Sequence, residues 1–114
     1  MDAELQKAVT GLGEAREKLR DEVAAPLRAG RDRFPEADEH LLLGALAAVV
    51  ESLEEIALVA VERRSTHVTS GPVKVAHDNL GSASERLREA ERQSGRQNGR
   101  QGGRQGGREG GLNA

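Results

Sequence analysis

PEADEHLLLGALAAVVESLEEIALVAVERR, residues 35–64, is the stretch whose periodicity decides the fold. Leu42, Leu46, Val49, Leu53, Ile56 and Ala60 follow one another at steps of four and three. In a helix that turns once every ~3.6 residues, those steps return each side chain to one stripe. Leu43, Val50 and Ala57 widen the stripe on one side, and Leu58, Val59 and Val61 lie off it. Pro35 suits a first helical position, Glu36, Asp38 and Glu39 complement the positive end of the helix dipole, and Arg63 and Arg64 its negative end. The spacing predicts a helix over 35–64, ~45 Å long at 1.5 Å per residue, a length natural to a bundle. Its apolar arc is wider than one neighbouring helix covers, so either two further helices of this chain or a second chain should pack on it.

The flanking segments carry the same period. Upstream, Leu5, Leu12 and Leu19 recur every seven residues, with Val9 and Val23 on the adjoining position and Arg16 interrupting it. This predicts a helix over about 2–25, weakened at Gly11 and Gly13, each costing ~1 kcal/mol relative to Ala. Pro26 should end or kink it. Downstream, Ser70-Gly71-Pro72 marks a break. Val73, Ala76, Leu80, Ala83, Leu87 and Ala90 then predict a third helix over 72–92, with Gly81 as a weak point. The expectation is an all-α fold, an antiparallel helical hairpin or three-helix bundle with coiled-coil-like packing. Its interface or core would be Leu42, Leu46, Val49, Leu53 and Ile56, with Leu80 and Leu87 opposite.

The helical domain should occupy residues 1–94 and stop at a change of composition. Gly95-Arg-Gln-Asn, Gly99-Arg-Gln-Gly, Gly103-Arg-Gln-Gly and Gly107-Arg-Glu-Gly form a four-residue repeat whose only large apolar neighbour is Leu112. Nothing in it offsets the entropy of ordering the backbone, so residues 95–114 read as a disordered, flexible Gly/Arg/Gln-rich tail. The net charge of −2 divides between the two parts. Residues 1–94 carry 13 Lys and Arg against 18 Asp and Glu, a net of −5, and residues 95–114 carry four Arg against one Glu, a net of +3.

Composition excludes several kinds of chemistry. Aromatics amount to Phe34 alone, so the core must come from Leu, Val, Ile and Ala. Cysteine is absent, which removes disulfides, thiolate metal sites and cysteine nucleophiles. Asp2 and Glu4 stand where a signal peptide needs positive charge, and the apolar runs Leu41–Leu43 and Leu46–Val50 fall far short of the ~20 residues of a membrane span. The chain is therefore expected in the cytoplasm, or secreted without a cleaved signal peptide. His40, His67 and His77 lie in three separate contexts, and no two share the i, i+4 spacing of a helical metal site. His40 near Glu36 and Glu39 reads as a solvated first helical turn. Glu51 and Glu55 are i, i+4, yet with Glu54 and Glu62 they read as the polar side of an amphipathic helix, since a catalytic pair needs a pocket to separate its two pKa values. Gly11-Leu-Gly13 lacks the strand and third glycine of a dinucleotide site. No enzyme activity, cofactor or metal is expected, and the partner should be another helical protein or a second copy of this one. The rival reading is a small regulatory or nucleic-acid-associated protein, in which Arg96, Arg100, Arg104 and Arg108 would contact phosphate. A third is a structural adaptor.

Two stretches carry a family resemblance. Leu43-Gly-Ala-Leu-Ala-Ala-Val-Val-Glu-Ser-Leu looks like the opening of a second helical block, and Val73-Lys-Val-Ala-His-Asp-Asn-Leu-Gly-Ser-Ala-Ser looks like a region that holds an export signal. Over about residues 1–92 the chain resembles the small helical proteins associated with type VII (ESX) secretion in actinobacteria, in particular the EspC-like relatives of the WxG proteins. The resemblance implies a helical hairpin that is often dimeric and leaves the cell without a cleaved signal peptide. The chain has no Trp and hence no WxG turn. Where that family's export signal pairs a Tyr with an acidic residue four positions later, this chain has His77 and Gly81, a degenerate version of the signal.

Overall fold

The computed structural model describes residues 2–63 and 70–106, with side chains described as far as Gly95. The chain divides into two compact units, residues 1–33 and 34–114.

The first unit is one continuous helical rod built of three pieces: α1 (Ala3–Lys18), a π-helical turn (Leu19–Ala24) and α2 (Ala25–Ala29). Asp2 caps it, its side chain accepting from Glu4 N at 2.7 Å and Leu5 N at 3.4 Å. That satisfies two of the amides every helix start leaves without a partner. Pro26 does not end the helix, the first of the two outcomes expected of it. The turn before it widens, so that Ala25 N–H donates to Arg20 O, five residues back. A π turn absorbs the ring that would otherwise clash with the preceding carbonyl, and helix resumes as far as Ala29. The expected stripe of Leu5, Val9, Leu12, Leu19 and Val23, extended by Leu27, is exposed along its whole length.

The second unit is a hairpin of α3 (Glu36–Glu62) and α4 (Ser70–Gly106). Pro35 lies just outside α3 as its cap residue rather than inside it, with Glu39 N–H donating to Pro35 O at 2.9 Å. Arg63 closes α3, donating its N–H to Val59 O at 2.8 Å. Arg64 and His67 fall outside the described residues. Pro72 sits in the first turn of α4, where its missing N–H costs nothing. The helices run antiparallel: His40 meets Glu91 and Gly95, Gly44 meets Glu91, Glu51 meets Arg88, and Glu54 meets His77 and Gly81. α4 continues past the expected end at Arg92 without a break at Ser94. Of the repeat expected as coil, residues 95–106 carry helical backbone, and residues 107–114 lie outside the described residues. Once a helix is anchored by packing, each added residue extends it without paying again for nucleation.

Candidate interaction face

The hairpin contact mixes apolar with polar side chains, and glycine makes room for the polar ones. On α3 the row turned toward α4 is His40, Leu43, Ala47, Val50, Glu54, Ala57 and Val61, of which Ala47 is fully buried and the others half-buried. On α4 the facing row is His77, Gly81, Ser84, Arg88, Glu91 and Gly95, with Ser84 buried. A methyl group placed on Gly44 would lie 2.6 Å from Glu91 Oε2. One on Gly81 would lie 3.0 Å from Glu54 Oε2, and one on Gly95 3.0 Å from His40 Cε1. Each glycine thus receives the long polar side chain of the other helix.

Fixed hydrogen bonds hold this arrangement. His40 Nδ1 pairs with Glu91 O at 2.8 Å. Arg88 reaches across with Nε 2.9 Å from Glu51 Oε2 and Nη2 2.7 Å from Glu51 Oε1, the two-pronged geometry that guanidinium and carboxylate share. Its Nη1 donates to Glu91 Oε1 at 2.9 Å. The hydrogen bond from Arg88 holds the Glu51 carboxyl below its ordinary pKa of 4.5, and the same bonds raise that of Arg88. Glu51 is therefore a fixed anion near neutrality and unsuited to proton donation. His77 Nε2 lies 3.9 Å from Glu54 Oε2. Glu51, Glu54, Glu55 and His77 line an open cleft with Ala48, Ser52 and Leu58. Glu36 Oε2 and Ser94 Oγ are buried without a hydrogen-bond partner among the described residues.

Of the residues expected at the centre of the hairpin, four are exposed and three are half-buried like most of the contact row. Leu46, Val49, Leu53 and Ile56 are 45%, 38%, 40% and 46% exposed, and Leu42, Leu80 and Leu87 are half-buried. The row Leu42, Leu46, Val49, Leu53, Ile56 precedes the packed row of α3 by one residue, a rotation of about 100°. Ala76, Leu80, Ala83, Leu87 and Ala90 precede the packed row of α4 by the same step. Both helices are right-handed and they run in opposite directions, so that equal step turns both rows to the same side of the hairpin. Two rows expected to pack on each other instead lie side by side and form one apolar face, ~21 Å long from Leu42 to Ile56. The correction has a physical reason. α3 is apolar over so wide an arc that its period alone does not choose a contact row. Matching of glycine with Glu or His across the helices chooses it.

Of the other site residues, His77 and Gly81, the positions of the degenerate export signal, both lie in the contact row. The side chains of Arg96, Arg100 and Arg104, and all of Arg108, fall outside the described residues. Sequence reasoning missed the Glu51–Arg88 link and the three glycine contacts; their signal was a pairing in which Gly44 with Glu91, Gly81 with Glu54 and Gly95 with His40 all keep one antiparallel register. Among the described residues no group of three or more His, Asp or Glu is arranged to hold a metal ion, and no helix is long and apolar enough to cross a membrane. Comparison of the chain with protein-family models, curated proteins and solved structures gives no match.

Proposed function

We propose that this chain is a non-enzymatic helical protein–protein interaction module that docks another helical chain on the apolar face shared by α3 and α4. One observation carries the reading: Leu46, Val49, Leu53 and Ile56 form a continuous row of large apolar side chains that the hairpin leaves at least one-third exposed. Scattered exposed apolar residues are ordinary, whereas a contiguous apolar patch with polar surroundings marks an interaction surface. Heptad-spaced rows of this kind are what a neighbouring helix packs into.

The test is the double substitution Leu53→Asp with Ile56→Asp, read by circular dichroism and by light scattering of the chain alone and with candidate helical partners. The reading expects helicity to survive, because neither side chain is in the contact row, while association is lost. Loss of helicity would identify the row as core and overturn the reading. For a biological setting we propose association with type VII secretion, which is supported by the resemblance over residues 1–92 and is compatible with a hairpin of α3 and α4. Neighbouring genes for a secretion ATPase and a paired small helical protein are the observation that checks it, and their absence removes the setting while leaving the docking face.

A further inference from the structure

Resting on that docking face, we infer that its occupant is the helical rod Ala3–Ala29 of a second copy of this chain, each copy giving its rod to the other. The chain exposes two apolar surfaces, the face shared by α3 and α4 and the rod's stripe of Leu5, Val9, Leu12, Leu19 and Val23. Both repeat at steps of four and three. The rod's pieces of 16, 6 and 5 residues together match the 27 residues of α3. Leu5 to Leu19 span ~21 Å, as Leu42 to Ile56 do. One stripe therefore covers one face. A reciprocal exchange between two copies covers both stripes and both faces at once and closes on itself.

Side-chain size selects the alignment. The register set by His40 with Gly95, Gly44 with Glu91 and Glu54 with Gly81 puts Ala90 level with Leu46 and Leu87 with Val49. It likewise puts Ala83 level with Leu53 and Leu80 with Ile56. The face is thus shallow at Ala83 and Ala90 and filled at Leu80 and Leu87. The rod alternates in the opposite sense. Laid antiparallel to α3 with Leu12 level with Leu53, it sets Leu5, Leu12 and Leu19 at the levels of Ala76, Ala83 and Ala90. Val9 and Arg16 then fall at the levels of Leu80 and Leu87. Large against small at each level is how packed layers fill without voids. A shift of half a heptad would set leucine on leucine and leave the alanine levels empty. The same placement brings Ala3 level with Glu62 and Ala29 with Glu36, so the rod runs the length of α3. Arg16 is the one charged member of the stripe; its stem lies on Val49 and Leu87 while its head reaches solvent.

The chain has no cysteine, so introduced cysteines report single contacts. Full-length chains carrying Leu12→Cys and Leu53→Cys are mixed and oxidised, and light scattering follows the unaltered chain through a dilution series. The disulfide between the two different chains is expected to dominate over either like pair, because only that pair comes within bridging distance. Dilution separates the copies, so the monomer shows both apolar surfaces. Leu12→Asp and Leu53→Asp should each abolish the dimer with helicity retained. Arg16→Leu should tighten it about tenfold, an apolar side chain replacing a charged one at the level of Leu87. A predominance of like pairs, rod to rod or face to face, overturns the exchange and leaves the docking face standing. A chain that stays monomeric at every concentration, or a chain with both cysteines that closes the bridge within itself, overturns it in the same way. A monomer that loses helicity on Leu53→Asp brings down the docking face itself.

Discussion

Glycine has two opposite meanings in this chain, and only its surroundings tell them apart. Gly11 and Gly13 would meet nothing within 4 Å if given a side chain, so they are plain weaknesses in α1. Gly95 lies against the His40 ring, which cannot fold away like a carboxylate end because Nδ1 is bonded to Glu91 O at 2.8 Å. Gly13→Ala should raise helix stability by about 1 kcal/mol, the propensity difference alone. Gly95→Ala should cancel that gain or reverse it, because a methyl 3.0 Å from Cε1 and 3.3 Å from Nδ1 displaces the ring and its hydrogen bond. Thermal unfolding followed by circular dichroism checks the pair, and a stabilised Gly95→Ala chain would show that the ring yields freely. From the sequence all of these glycines read alike as helix weak points or as part of a flexible repeat. The distinction requires knowing what stands across from each.

At the scale of the element, the helices were legible and the choice of contact row was not. Periodicity places α3 to within two residues at either end, because Pro35 and the acidic first turn mark its start. It favours the row with the largest side chains, yet packing selected the row one residue later, which contains the small Ala47. A small residue at the point of closest approach lets two axes come near enough for Glu, His and Arg to reach across. Ala47 is 0% exposed and its neighbour Ala48 is exposed, so the two form an internal control. Ala47→Leu should destabilise the hairpin by about 1–3 kcal/mol through overpacking. Ala48→Leu should leave stability within about 0.5 kcal/mol. Chemical denaturation of both variants measures this. Equal tolerance at the two positions would return the contact to the row of Leu46 and Leu53. The π turn before Pro26 was illegible for a related reason: proline signals an obstacle, and whether a chain stops or widens around it depends on the helix that follows.

For the whole molecule, the consequence is a small core. Among the described residues Ala47 is the one buried apolar side chain, while Leu5, Val9, Leu12 and Leu19 of the first unit and Leu46, Val49, Leu53 and Ile56 of the second are exposed. The denaturant slope of unfolding scales with the surface newly exposed, so this chain alone should unfold with a slope well below the ~1–3 kcal/mol/M usual for small proteins in urea. Its transition should also be broad, because the chain divides into two compact units, residues 1–33 and 34–114. A partner that covers the apolar face binds only the folded hairpin and pulls the equilibrium toward it. At a partner concentration 100 times the Kd the added stability is about 2.7 kcal/mol by mass action. Urea unfolding with and without a synthetic helical peptide carrying Leu at heptad spacing, fitted for slope as well as midpoint, tests both parts. The midpoint should move up with peptide concentration and the slope should rise, since covered Leu46, Val49, Leu53 and Ile56 add to the surface released on unfolding. A steep, peptide-independent transition would mean that the isolated chain already buries these side chains, and no face would be left to offer.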